Sequence, residues 1–256
     1  MKDAKSRLHL IQEIFEQYNA LHQPRDIIFI ISHMRSRSTL LSHILGSNKN
    51  ICGHSEQHIR YRGMLDIYDL KLRLMNEENY EQAKYLLDKI LHNHRLLRAR
   101  VIRKTRPKLI LMTRQPVDSV KSIKKMLIRE NRYNNLEDII NYYKARIDGI
   151  LGISKRNSGK YIFIESNDLI KETTSTLLSL QKFLHLRTPL EAEYKVFDDT
   201  GEAGRGDQSE NIKAGKILEI IANTDGGESS RIREYFDDDY YRNITEIIRN
   251  HSVNYE

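Results

Sequence analysis

Residues Asp26–Asn48 read DIIFIISHMRSRSTLLSHILGSN. Ile27–Ile31 is a short apolar run rich in β-branched residues, the pattern of a strand buried on both faces of a parallel sheet. Ser32–Thr39 is polar, and Thr39–Leu45 then reads as a helix with Ser38 or Ser36 as its N-cap. Strand, polar loop and helix form the layout of a phosphate-binding loop. This loop has no glycine and no lysine, so the GxxxxGK motif of nucleoside triphosphatases is absent. It carries Arg35, Ser36, Arg37, Ser38 and Thr39 instead, followed by Leu40. The N-terminus of a helix offers unpaired N–H groups and a partial positive charge. Arginine grips oxyanions through a planar fork, and hydroxyls add short hydrogen bonds. These ingredients suit an anion. The plain alternative is a polar turn with its arginines in solvent.

Outward from this stretch, strands and helices alternate. Leu8, Ile11, Ile14, Phe15, Tyr18 and Leu21 mark one face of an amphipathic N-terminal helix over 4–22, stopped at Pro24. The segment from Leu65 to about Leu91 is mostly helical in pattern, although Tyr85–Asn93 (YLLDKILHN) reads equally as a strand. Leu109–Met112 and Tyr161–Ser166 are further strands. Val117–Ile128, Leu136–Ile153, Thr173–Leu186, Ile212–Ile221 and Asp239–Ile248 are read as helices. The expected fold is therefore α/β, a central parallel sheet flanked by helices on both faces. With no repeat and no low-complexity linker, 1–256 is expected to be a single domain, with the C-terminal helices of 210–250 packed on it.

The 256 residues are 39% hydrophobic and 30% charged, an ordinary globular composition. The net charge of +7 favours anionic partners without saying which. Cys52 is the single cysteine, which excludes an internal disulfide and a cysteine-rich zinc site. The N-terminal stretch lacks the apolar core of a signal peptide. No segment approaches the roughly 18 to 20 apolar residues of a membrane span. A cytoplasmic protein with reduced Cys52 is the expectation.

A second basic strand end follows Leu109–Thr113. The sequence there is RQPVDSVKS, Arg114–Ser122. Arg114 stands at the C-terminal end of the strand, and Ser122 lies eight positions on, two turns into the next helix. A backbone that folds at Pro116 brings both to one anion. Alone, an arginine in this place is more often in a surface ion pair. Two such ends on one sheet imply a ligand with anionic groups at separated positions.

At this point the residues match a known family. The chain resembles the sulfotransferases that use 3′-phosphoadenosine 5′-phosphosulfate (PAPS), in particular bacterial-type members. Arg35–Leu41 (RSRSTLL) is similar to their 5′-phosphosulfate loop, commonly PRSGSTLL. Arg114-Gln115-Pro116 with Ser122 is similar to their 3′-phosphate motif, RxPxxxxxS. YIFIESNDL (Tyr161–Leu169) resembles the strand and turn often written YEDL. Thr200–Ile217, TGEAGRGDQSENIKAGKI, resembles the C-terminal glycine-rich loop that closes over the nucleotide. The four stretches stand in the family's order over residues 27 to about 217. Two positions depart from the pattern. Met34 and Arg37 replace the usual proline and glycine, and without that glycine Arg37 must adopt the loop conformation or turn its side chain away.

The resemblance implies a P-loop-like three-layer fold and a PAPS-dependent transfer of a sulfuryl group to an acceptor hydroxyl, leaving 3′-phosphoadenosine 5′-phosphate (PAP), with no metal required. It implies that Arg35 acts on the leaving 5′-phosphate and that Ser36, Arg37, Ser38, Thr39 and Leu40 line that phosphate. Arg114 and Ser122 take the 3′-phosphate, and Gly204, Arg205 and Gly206 cup it from the other side. Gly53–Tyr61, GHSEQHIRY, holds Glu56 and His58, and its Glu-x-His form is similar to that of sulfotransferases acting on polyketide chains. The resemblance makes Glu56, His58 or His54 the base that takes the acceptor's proton. Lys89 is expected to reach the sulfate from a neighbouring strand. The expected partner is a small-molecule or lipid- or polyketide-like hydroxyl acceptor, not a nucleic acid. Two other classes remain. A small-molecule kinase of related fold requires Mg²⁺ and a lysine-bearing glycine loop. A basic nucleic-acid-binding module requires a recognised motif or aromatics set among basic residues.

Overall fold

The structure is a computed structural model. It describes residue 18 and residues 21–95, 97–198, 200–201, 211–218, 226–237 and 239–254. Five parallel strands form its sheet: β1 (Asp26–Ile31), β2 (Ile51–Cys52), β3 (Tyr85–Ile90), β4 (Lys108–Thr113) and β5 (Tyr161–Glu165), in the order β2-β3-β1-β4-β5. Between and after them run α1 (Ser38–Gly46), α2 (Met64–Leu74), α3 (Ala99–Thr105), α4 (Pro116–Arg129), α5 (Leu136–Arg156), α6 (Asp168–Lys171), α7 (Thr173–Leu184), α8 (Gly226–Arg233) and α9 (Tyr240–Asn250).

The pleat of β1 explains the three layers. Ile27, Phe29 and Ile31 point to one face, where residues of α2, α3, α4, α5, α8 and α9 cover them. Ile28 and Ile30 point to the other, against Leu41, Ile44 and Leu45 of α1 and Leu177, Leu180 and Phe183 of α7. Each such aliphatic side chain contributes about 1.5–3 kcal/mol when fully buried. A strand covered on both faces needs an unbroken apolar run, which β1 has. The chain leaves β1 towards the α1 face and leaves β4 towards the α4 face. A crevice therefore opens between the C-terminal ends of these adjacent strands, the place where open α/β sheets bind ligands. No helix among the described residues is long and apolar enough to cross a membrane.

Several boundaries differ from the sequence expectation. The helix begun near Leu65 ends at Leu74, and Tyr85–Ile90 is a strand, wholly buried despite Asp88 and Lys89. Both charged residues find polar partners inside, which periodicity cannot show. Of the helix expected over Ile212–Ile221, the described residues 212–218 hold only a single 3₁₀ turn, Ile212–Ala214, which ends at Gly215 (φ 67°), and Lys216 then pairs antiparallel with Glu193. The N-cap of α1 is Arg37 rather than Ser36 or Ser38, and Ser38 is the first helical residue. Of the expected helix over 4–22, only Tyr18, Leu21 and His22 fall among the described residues, and all three are helical. The sequence reading also passed over the short strand β2 and the helices α3 and α8.

The C-terminal segment closes the free side of β5. Tyr161 Oη donates to the carbonyl of Ile248 at 2.5 Å, Val253 N–H donates to Tyr161 O at 2.8 Å, and Phe163 N–H donates to Ser252 Oγ at 2.9 Å. Burial pushes the Tyr161 hydroxyl up to about 12, so it remains a donor at any ordinary pH. Tyr161→Phe is expected to lower stability by about 1–2 kcal/mol, because the buried Ile248 carbonyl loses its partner. Urea unfolding checks this: the midpoint should fall with the slope unchanged, and an unmoved midpoint refutes the contact.

Candidate functional site

The loop after β1 is built around His33, which is fully buried. Arg114 N–H donates to His33 Nε2 at 3.0 Å, so the ring proton sits on Nδ1, which donates to Met34 O at 2.8 Å. One neutral ring thus joins the ends of β1 and β4. Burial pulls its pKa down to about 4, and the charges of Arg146 and Arg114 act in the same direction. The edge of Tyr143 packs against it at 5.0 Å.

Beyond His33 the backbone turns left-handed at Arg35 (φ 61°) and again at Arg37 (φ 67°). Ser36, between them, is fully buried, and among the described residues its Oγ has no hydrogen-bond partner. Arg37, as N-cap of α1, gives no side-chain bond to the helix, and the first turn holds no acid. The opening N–H groups of α1 and the Ser36 hydroxyl are thus neighbours in sequence at one helix start, the kind of terminus that suits an anion.

The two basic strand ends meet here. Arg35 Nε donates to Ser122 Oγ at 3.0 Å, and Arg114 Nη1 donates to Arg35 O at 3.1 Å. Asp118 lies 3.7 Å from Arg114 Nη2. The fold at Pro116, the first residue of α4, thus brings Arg114 and Ser122 to the loop, with Arg35 between them. Arg37 turns the other way. Its Nη1 donates to Ser166 O and Oγ, both at 3.1 Å, and to Asn167 Oδ1 at 2.8 Å, across the end of β5. Burial, and then repulsion from Arg114, lowers its pKa to about 10, which leaves it charged at neutral pH. Lys89 Nζ, buried on β3, reaches Thr39 Oγ1 at 3.4 Å. Ser38 and Thr39 are buried in the first turn of α1, and Leu40 is half-buried beside them.

The segment holding Glu56 and His58 doubles back over the end of β3. Gln57 N–H donates to Asp88 Oδ1 at 2.8 Å, Tyr61 Oη donates to Asp88 Oδ2 at 2.5 Å, and Ser42 Oγ of α1 donates to His54 O at 2.5 Å. Burial raises the Asp88 carboxyl to about 6. Glu56 is buried and lies 3.3 Å from Nδ1 of the more exposed His58. The ring of His54 is stacked flat on Phe197 at 3.7 Å. His92, just after β3, stacks on His94, and burial first of all holds its pKa near 4. Gly204, Arg205 and Gly206 lie outside the described residues.

Sequence reasoning missed three residues that frame the site. Arg146 of α5, almost fully buried, donates from Nε to Ser32 O at 2.7 Å, from Nη2 to Ile90 O and from Nη1 to Asn93 Oδ1 at 2.9 Å. Tyr142 accepts from Met34 N–H and donates to Leu91 O, both at 2.9 Å. His33 is the third. Arg146 was legible in principle: Tyr143, Arg146, Ile147 and Ile150 share one helical face, and a lone cation on a core stripe has a reason to be there. Beside Met34 and Tyr142 lies a cleft of about 180 Å³, walled also by Ile123, Leu127 and Ile139.

No family model matches this chain, and no curated protein matches it. Among solved structures it is similar to the sulfotransferase domain from the curacin biosynthetic pathway, with a TM-score of 0.54 and 18% identity over 82% of this chain and 96% of that one. The sulfotransferase from Alicyclobacillus acidocaldarius aligns at a TM-score of 0.47 and 16% identity, covering 70% of this chain and 89% of that one. Mouse sulfotransferase SULT7A1, complexed with PAP, aligns at 0.47 and 15%, covering 88% and 82%. The first likeness shows the fold: the P-loop-like α/β architecture of a sulfotransferase domain.

The His33 clamp has a pH signature. Its folded pKa, near 4, lies below the ordinary 6.5, so the unfolded chain takes up the proton first. The stability it contributes is present above pH 6.5 and is lost as pH falls towards 4. In His33→Phe the loss of stability over this window should be shallower by up to one proton, read from urea midpoints at a series of pH values. An identical slope in both proteins refutes a buried neutral His33.

Proposed function

We propose that this protein is a PAPS-dependent sulfotransferase. The observation that carries the proposal is the junction of Arg35, Ser122 and Arg114 at the crevice between β1 and β4, with Ser36 Oγ and the first turn of α1 alongside. A ligand with anions at two separated positions suits that set, and a 5′-phosphosulfate with a 3′-phosphate has them. The fold likeness to a sulfotransferase domain supports the same assignment. A neighbouring structure, also of this kind, was determined with PAP.

When bound, PAPS supplies the sulfuryl group and departs as PAP. Arg35 and the N–H groups at Ser36–Thr39 hold the 5′-phosphate end, where preorganised donors stabilise charge that develops on the leaving oxygen. Arg114 and Ser122 hold the 3′-phosphate, and Arg205 with Gly204 and Gly206 completes that grip. Lys89, beside Thr39, serves the sulfate. Arg37 fixes the loop to the end of β5 rather than touching the cofactor. Glu56 takes the acceptor's proton on its carboxylate, and His58, at 3.3 Å, orients it or relays the proton onward. The acceptor is an alcohol whose apolar part lies in the cleft beside Met34 and Tyr142. The whole of 1–256 acts as one domain in the cytoplasm.

Calorimetry tests the cofactor assignment directly. PAP should bind at least tenfold more tightly than AMP or ATP, and Arg114→Ala should abolish that preference. Equal affinity for all three overturns the proposal. Glu56→Gln should cut turnover by about 10²–10⁴-fold while PAP affinity stays within about twofold. Wild-type turnover in that variant removes Glu56 as the base.

A further inference from the structure

Next to the candidate base lies a cluster of arginines that the cofactor does not need. The chain from Arg60 to Arg62 runs beside the chain from Leu97 to Arg100: Tyr61 pairs with Leu97 in parallel, and Arg98 N–H donates to Tyr61 O at 3.0 Å. Tyr61 points inward, so Arg60 and Arg62 point out, and Arg98 and Arg100 are exposed beside them. Arg100 Nε donates to the carbonyl of Arg62. Arg95 joins the group to the base, because its Nη1 donates to His58 O at 2.7 Å. Four exposed arginines, Arg60, Arg62, Arg98 and Arg100, thus stand on two paired stretches of chain, and the half-buried Arg95 links them to the segment of the base.

Among the described residues none of these five guanidinium groups is in an ion pair. Asp66, beside them, spends its Oδ2 on the N–H groups of Arg62 and Gly63 at 2.6 and 2.8 Å. Five cations beside the Asp66 carboxylate keep an excess of like charge, and an external anion relieves the repulsion. All five are arginine and none is lysine, which favours carboxylate, sulfate or phosphate gripped in a planar fork. No exposed aromatic side chain stands on either strand of chain, so the stacking that single-stranded nucleic acid uses has no platform.

We propose that the acceptor is itself anionic, with carboxylate, sulfate or phosphate groups near its reactive hydroxyl that dock on Arg60, Arg62, Arg95, Arg98 and Arg100. This rests on the sulfotransferase assignment and on Glu56–His58 marking the acceptor side.

The test uses the full chain saturated with PAP, so that the cofactor loops are filled before any probe is added. Absence of PAP binding at this first step counts against the sulfotransferase assignment and is seen separately. Two probe pairs then differ in charge with the carbon skeleton kept: 3-hydroxydecanoate against its methyl ester, and tetragalacturonate against its fully methyl-esterified form. The charged member of at least one pair should bind at least tenfold more tightly than its neutral partner. Preference within the first pair identifies a small amphipathic anion, and preference within the second a polyanionic chain. The double variant Arg98→Glu/Arg100→Glu should abolish the preference while PAP affinity and melting temperature stay unchanged. No preference in either pair, a preference that survives the double variant, or tighter binding of oligothymidylate than of either anion overturns the proposal.

Discussion

The architecture of the crevice depends on one buried cation. A parallel sheet leaves backbone carbonyls at its C-terminal edge without strand partners, and here those ends are covered by loops and cut off from water. Arg146 answers the need from α5, gripping Ser32 O at the end of β1, Ile90 O at the end of β3 and the Asn93 side chain beyond it. Burial lowers its pKa to about 10, yet it stays charged at neutral pH, with Glu56 opposing the shift. A guanidinium with several carbonyl partners is a strong, directional clamp. It fixes where the chain leaves β1 and therefore where His33, Arg35 and α1 begin. Ile90 O also accepts from Ser32 N–H at 3.2 Å, so without Arg146 the loss falls on Ser32 O, where an unpaired buried carbonyl would cost about 1–3 kcal/mol.

His33 continues the same logic with the opposite charge state. Arg146 and Arg114 are both close enough to oppose a third positive charge, and burial opposes it more strongly still. A neutral ring is what the surroundings allow, and it gives one donor and one acceptor. Those are the two functions needed to join Met34 O to Arg114 N–H. The positive charge of the crevice is thereby carried by Arg35, Arg37 and Arg114, and among the described residues Asp118 lies 3.7 Å from Arg114. Burial is the main cause of the lowered pKa of Arg37, repulsion from Arg114 adds to it, and an entering anion relieves that repulsion.

Much of this was legible in the sequence because it rests on periodicity and composition. β1, β4 and β5 are apolar runs bounded by polar loops, and a sheet buried on both faces requires such runs. The loop arginines announced themselves by position, at strand ends where helices begin. β3 was harder, since Asp88 and Lys89 interrupt its run and imitate a solvated helix face. Only their partners, Tyr61, Gln57 and Thr39, explain why two charges sit inside a sheet, and those partners are remote in sequence. Arg146 and His33 were missed for a related reason. A cation on a helix and a histidine in a polar loop both look like surface residues until tertiary structure buries them. The end of the supposed helix at Ile212 turned on a single glycine, Gly215, whose positive φ no hydrophobic pattern reports.

Arg37 shows how a residue can stand where a glycine is easier. A left-handed backbone costs a side-chain-bearing residue about 1–2 kcal/mol, and this loop adopts it twice, at Arg35 and Arg37. Glycine at 37 would remove one such penalty but would supply no side chain. The arginine instead aims the two N–H bonds of its Nη1 at three acceptors, Ser166 O, Ser166 Oγ and Asn167 Oδ1, so at least one bond is shared. Bonds from a charged donor contribute about 1.5–3 kcal/mol each when well formed, enough to offset both the backbone penalty and part of the desolvation of the guanidinium. The gain is also geometric. The loop after β1 becomes fastened to the turn after β5, while Arg114 fastens it to β4 and Arg146 holds β1 to β3. Strand ends from four of the five strands are thus locked to one short loop. A ligand bound there meets donors already in place, so little of its binding energy is spent on ordering them.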